Sequence, residues 1–266
     1  MGLIFPDIYQ HPEYLKGQTR AWCNQLATQT GKYEYTWNYT CEGVAAEDVF
    51  TEELSKLIRG NVLDVGCGHG EYTNRWADQA DEVIGYDMTE GFLATANRNS
   101  KSNVRYVLGY THNDGLPFAD RYFNVAYTKK GPGSWYPDVN RILKSEADVL
   151  SLHPADGNGE GCELGTYFPG LFFPPTKGTP ILNKINAYLA DSRLHVIENH
   201  ILRETIYIPT PEDILTMVCF GQSERFAQFV KETCFDGIQM QFEHYASDKG
   251  VHTTNFYYLI RAKATG

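Results

Sequence analysis

An apolar run, Val62–Val65, passes directly into Gly66-Cys67-Gly68-His69-Gly70 and then into residues suited to a helix. Glycine accepts left-handed backbone and leaves N–H groups open that a Cβ would shield. At the carboxyl edge of a parallel sheet, such a turn is where ligands bind. The surrounding pattern supplies that sheet. Asn61–Gly66, Glu82–Asp87, Val104–Leu108, Phe123–Thr128 and Ala147–His153 read as strands. Helices are expected from about Gly70 to Gln79, over Glu90–Asn99, and ahead of the fifth strand, ending near Lys144. Phe50, Leu54, Leu57 and Ile58 recur at helical spacing before the first strand, with Gly60 as a stop. The alternation predicts an α/β fold, a doubly wound and mostly parallel sheet with helices on both faces.

Outside this rhythm, residues 1–45 read as an N-terminal arm or cap, and 46–266 as the main domain. Residues 155–200 are rich in Gly, Pro and aromatics, too long for an ordinary connection, and read as an inserted lid or substrate-binding segment. A strand is expected at Ile201–Ile208, then a helix through about Glu232, with Thr210 as N-cap and Pro211 in its first turn. Ile238–Tyr245 and Asn255–Ala262 read as strands of an antiparallel C-terminal hairpin.

The net charge of −10 argues against a nucleic-acid partner, since phosphates are held by Lys and Arg and no dense basic run occurs. The six cysteines are scattered, with no C-x-x-C pair and no metal-ligand spacing, so no metal site is expected and the thiols read as reduced. No apolar run suits a membrane span, and Met1–Gln10 does not resemble a signal peptide, so the cytoplasm is the default expectation.

The glycine loop lacks the Gly-Lys-Ser/Thr of a phosphate-binding P-loop. A dinucleotide fingerprint needs a small residue at 71, where Glu71 would repel pyrophosphate and hinder helix–strand packing. Asp87, closing the second strand, can accept hydrogen bonds from both ribose hydroxyls of an adenosine. Such charged bonds contribute about 1.5–3 kcal/mol each. The alternative for Asp87 is a helix cap or turn residue.

DVGCGHG followed by GYD resembles the first two motifs of class I, Rossmann-like S-adenosylmethionine methyltransferases. Leu116-Pro117-Phe118 ahead of Phe123 is similar to a stretch of the ubiquinone/menaquinone-biosynthesis-type branch. The resemblance covers about Phe50–Pro154 well and Thr210–Ala262 loosely. It implies S-adenosylmethionine as cofactor and S-adenosylhomocysteine as product. Asp64, Gly66 and Gly68, with Cys67 and Gly70 completing the loop, would shape the pocket at the methionine end. Asp87 would hold the ribose, Met88 would pack on the adenine, and the Asn113 N–H would meet the adenine edge. Two departures stand out. Thr111-His112 replaces the family's Gly-Asp, leaving His112 or Asp114 as substitutes for the acidic contact to adenine. Leu143–Ala147 lacks the glycine turn before the fifth strand.

Methyl transfer requires alignment and exclusion of water, and a base only if the acceptor must lose a proton. Thr128 and His153, ending the fourth and fifth strands, should face the cofactor. His153 is either a general base or a structural histidine. Lys129 and Lys130 are expected to face solvent or an acidic acceptor, because a cation aimed at a sulfonium is unfavourable. Tyr33, Tyr35, Trp37 and Tyr39 alternate at a spacing of two, so an extended arm places them on one face. Tyr35 and Trp37, with Phe172 and Phe173 of the insertion, are the candidate acceptor pocket. The leading function is methylation of a small molecule. The alternatives are an RNA methyltransferase of the ribosomal guanine-N1 type, whose cysteine-rich module is missing here, and a cofactor-binding protein without methyl transfer.

Overall fold

The computed structural model describes residues 4–265; the first three residues of the arm and Gly266 lie outside the described residues. In chain order the elements are α1 (Arg20–Thr30), β1 (Thr40–Glu42), α2 (Ala46–Ser55), β2 (Asn61–Val65), α3 (Glu71–Asn74), β3 (Glu82–Asp87), α4 (Glu90–Arg98), β4 (Val104–Leu108) and β5 (Phe123–Lys129). There follow α5 (Tyr136–Ile142), β6 (Leu143–Pro154), α6 (Leu164–Tyr167), α7 (Pro180–Ser192), β7 (His195–Ile208), α8 (Pro211–Cys219), α9 (Glu224–Tyr245) and β8 (Val251–Lys263).

All eight strands form one sheet, ordered β1-β7-β8-β6-β5-β2-β3-β4. β2 to β6 run parallel; β8 is antiparallel to β6 and β7, and β1 to β7. The fold is Rossmann-like and doubly wound, as the alternation predicts. α5 and α7 cover one face through Tyr136, Val139, Ile142, Ile185 and Leu189. Phe50, Leu54 and Trp76 cover the other. The order reverses about β2, so the carboxyl ends of β2 and β5 open into the crevice of a topological switch point.

Three connections differ from expectation. The stretch after the glycine loop is one helical turn, α3, followed by turns that still bury Trp76 and Ala77. β6 starts at Leu143. Without a glycine turn, Glu146 takes a left-handed φ of 61° and its pairing with β5 slips between Phe123 and Val125. Ile238–Tyr245 is the end of α9, not a strand. Its apparent alternation fails because Met240 is 58% exposed, whereas Phe226, Val230, Cys234 and Ile238 form one buried helical stripe. The antiparallel C-terminal pair therefore joins β8 to β7, from His195↔Lys263 to Ile208↔Val251.

The 155–200 segment also divides. Its second half is α7, a crossover helix packed against α5 and the sheet, and β7 begins at His195. α6 joins Phe5, Ile8, α8 and α9 in a separate apolar cluster above β7 and β8. Thr210 caps α8 by accepting from the Asp213 amide at 3.1 Å, and Ser223 caps α9 in the same way. No helix among the described residues is long and apolar enough to cross a membrane.

Candidate active site

The glycine loop leaves β2 between two strands that hold it from below. Gly66 donates to the Tyr86 carbonyl at 2.8 Å. A Cβ on Gly66 would lie 3.0 Å from Gly131 Cα and Pro132 Cδ, so this glycine permits contact with the loop after β5. Gly68 differs. At φ +55° its missing Cβ would point into open space, with only Tyr33 Cβ nearby at 3.8 Å. Gly68 is thus the loop glycine beside which the protein leaves room. Gly70 lies under Tyr106 and Ala96, and the Cys67 thiol turns inward towards Gly85. Both shape the loop from beneath and offer no side chain to a ligand.

Asp87 ties this loop to its own strand. One carboxylate oxygen accepts from Gly68 N at 2.9 Å and the other from Thr89 N at 2.8 Å. Burial raises the carboxyl above its usual range, and these amides work against that rise. The fixed carboxylate keeps lone pairs for a diol, as a ribose contact requires. Met88 is half-buried and packs beside Trp22, Leu26 and Phe92.

Asp64 lies behind the loop, 2% exposed, accepting from Thr73 Oγ1 at 2.7 Å and Tyr127 OH at 2.8 Å. Burial raises it to about 6 from 3.8, against the lowering effect of those hydroxyls. A raised folded-state value means the native protein holds this proton more tightly than the unfolded chain. Stability without ligand therefore falls as pH rises from about 4 through 6, by about 3 kcal/mol for this group. Asp64→Asn keeps an oxygen acceptor and is expected to remove that slope. Denaturant melts at pH 4 and 7 check this; equal pH dependence of the two proteins would overturn it.

Several expected contacts are redirected. The Asn113 amide donates to the Tyr110 carbonyl at 2.9 Å within an exposed turn, so it is not free for an adenine edge. Asp114 accepts from Tyr110 N at 2.8 Å, and the exposed His112 ring lies 5.3 Å from that of Tyr110. Thr128 is fully buried and donates to the Val65 carbonyl at 2.7 Å, pinning β5 to β2. His153 is 4% exposed, with Nε2 3.0 Å from Tyr136 OH. Burial lowers it to about 4, against an opposing contact with the Gly131 backbone. This neutral imidazole, closed off from solvent, braces the loop after β5. Of the two readings of His153, this geometry supports the structural histidine.

The aromatic arm crosses the glycine loop. Tyr33 N donates to His69 Nδ1 at 3.2 Å, and Asn38 N donates to Asp213 Oδ1 at 2.8 Å. Between these pins Tyr35 and Trp37 stack at 4.5 Å, both packed on Phe220. Beyond them lies a cavity of about 310 Å³, which brings together Tyr35, Trp37, Phe172 and Phe173, the residues expected to meet an acceptor. Tyr39, Lys130, Glu204 and Tyr257 also line it. Lys130 is not a solvent-facing lysine: its Nζ is 2.8 Å from Glu47 and 4.7 Å from the Tyr257 ring centre. Glu204 and Tyr257 went unnoticed because nothing in a strand's sequence tells which alternate positions face a cavity. The Lys130–Glu47 pair joins segments too distant in the chain to be matched by pattern.

A family model described as a methyltransferase domain matches residues 62–152. YqeM of Bacillus subtilis strain 168, which is named as a methyltransferase, is 29% identical over 108 residues, 37% of this chain and 44% of that protein. The chain covers less than two thirds of the length of the curated relatives it matches. Among solved structures, a functionally unknown Deinococcus radiodurans R1 protein aligns with a TM-score of 0.64 at 20% identity, covering 90% of this chain and 97% of that one. A geranyl diphosphate C-methyltransferase from Streptomyces coelicolor A3(2), solved with geranyl diphosphate and S-adenosyl-L-homocysteine, aligns with a TM-score of 0.51 at 13% identity, over 92% and 98% of the two chains. Residues 62–152 are therefore similar to a methyltransferase domain, and the sheet that they build has the Rossmann-like order described above.

Proposed function

We propose that the chain transfers a methyl group from S-adenosylmethionine to a small-molecule acceptor, leaving S-adenosylhomocysteine. The reading rests on one juxtaposition: the aromatic cavity and the glycine-loop crevice share a wall. Lys130 lines the cavity, and the next residue, Gly131, lies against Gly66 of the loop. A molecule of modest size in the cavity would therefore reach the crevice. The net charge of −10 and the aromatic walls of the cavity favour such a molecule over RNA.

When bound, the cofactor supplies a methyl group made electrophilic by its sulfonium. The residues present fit it. Gly68 leaves open the side that a Cβ would fill, Asp87 is oriented for the ribose hydroxyls, and Met88 offers an apolar surface to the adenine. Asp64 stands behind the loop at the methionine end. The chain's own task is alignment and exclusion of water, which the arm and the 155–179 segment perform by roofing the cavity. The N-terminal segment and α8–α9 serve as the cap. The Leu116-Pro117-Phe118 stretch, whose sequence resembles the ubiquinone/menaquinone-type branch, packs at the sheet with Leu116 buried and Phe118 on Phe123.

Calorimetry with S-adenosylmethionine tests the first part, and absence of binding would end the proposal. Phe172→Ala is expected to lower acceptor kcat/KM more than tenfold while changing cofactor affinity less than twofold. Phe173, 70% exposed and stacked on Tyr9 at the rim, should matter less. Equal losses of turnover and cofactor affinity in a folded Phe172→Ala protein would count against an acceptor cavity.

A further inference from the structure

The walls of the aromatic cavity carry one cation, Lys130, and one carboxylate, Glu204. Glu204 is 9% exposed and turned into the wall, where its oxygens accept from the Ala46 amide at 2.9 Å and from Tyr257 OH at 3.0 Å. Lys130 is less fully used. Its one carboxylate partner, Glu47, is shared with Lys129, so two ammonium groups divide a single negative charge. An ammonium has three donors, and even with Glu47 and the Tyr257 hydroxyl each engaging one, a third is left for a ligand. The backbone places this group deliberately. Lys130 adopts a left-handed φ of 62°, fixed by its N–H donating to the Leu152 carbonyl at 2.7 Å. That conformation sets the lysine against the cavity and Gly131 against the glycine loop.

Proton transfer narrows the acceptor further. Burial works to raise Glu47, but Lys130 and Lys129 outweigh it and hold the carboxyl at about 2, so it is a poor base. His153 is closed off behind Tyr136 and does not line the cavity. An alcohol would arrive with its O–H proton in place and an ammonium with its lone pair protonated, and the cavity wall offers neither an imidazole nor an exposed carboxylate to take that proton.

Resting on the acceptor-site reading above, we propose that the acceptor is an oxyanion with a flat apolar body, a carboxylate or an acidic phenol, and that Lys130 holds the charged oxygen. The step then balances without a base. A lone pair on the oxyanion forms the new O–C bond as the C–S bond breaks, and the departing electron pair stays on sulfur. One negative and one positive charge yield a neutral methyl ester or ether and a neutral thioether, with no proton moved. A cationic acceptor would meet Lys130 with like charge.

The test is calorimetry on the full chain saturated with S-adenosylhomocysteine, using three probes of one shape: 2-naphthoate, 2-naphthamide and 2-naphthylmethylammonium. The expected result is naphthoate binding at least tenfold tighter than either counterpart. Lys130→Met should abolish that preference and Lys130→Arg retain it, with S-adenosylhomocysteine affinity within twofold of the parent in both. Equal or tighter binding of the amide or the ammonium by the unsubstituted protein would overturn the proposal, whatever the variants do. So would a preference surviving in Lys130→Met. Binding of none of the three would instead remove the acceptor-site reading itself.

Discussion

Asp87→Ala is expected to weaken S-adenosylmethionine binding by about ten- to a hundredfold, the equivalent of one or two charged hydrogen bonds. The carboxylate has two tasks. On the proposed reading it would hold a ribose diol, and it accepts the Gly68 and Thr89 amides that set the loop's shape. Alanine removes both tasks and leaves two amides without their acceptor. It also relieves a buried carboxyl whose proton affinity burial has raised, so overall stability should change less than affinity. Asp87→Asn keeps an acceptor but loses the charge and should fall between the two proteins. Calorimetry on all three, with thermal melts beside it, checks the order. Parent-like affinity in Asp87→Ala would mean that the adenosine lies elsewhere.

Gly68→Val should have a larger effect on binding and a smaller one on folding. Its Cβ would meet only Tyr33 Cβ, in ordinary contact at 3.8 Å, so the Cβ itself displaces nothing. The left-handed φ of 55° costs a branched side chain about 1–2 kcal/mol, which the fold should tolerate. The methyl groups would stand in the crevice, and cofactor affinity is expected to drop by more than a hundredfold. The same substitution at Gly66 would drive into Gly131 and Pro132 and confound stability with binding. A folded Gly68→Val protein that binds S-adenosylmethionine normally would refute the assignment of this glycine to the ligand face.

The parallel core was legible because each of its strands is a short apolar run between turn residues, a local signal that burial on both faces enforces. β2, β3, β4 and β5 lie where the pattern put them. The end of α9 was not legible: Ile238, Met240 and Phe242 alternate by chance within a helix whose buried stripe starts twelve residues earlier, at Phe226. The aromatic arm was readable as an extended segment with a common face, and Tyr35, Trp37 and Tyr39 do share one cavity. Cofactor-side details were less so, because hydrogen-bond partners depend on three-dimensional neighbours. Thr128 finds Val65, Asn113 finds Tyr110 and His153 finds Tyr136, and each bond withdraws a group that its position alone would offer to a ligand.

The short tether from Tyr33 to Asn38 is anchored at one end on the loop histidine and at the other on the first turn of α8. Neither chamber can be opened on this side without disturbing the other, since one run of backbone closes both. If crevice and cavity each hold a ligand as proposed, ordering of this tether by one would leave less disorder for the other to remove. By reciprocity, whatever advantage the first molecule confers on the second is returned in equal measure.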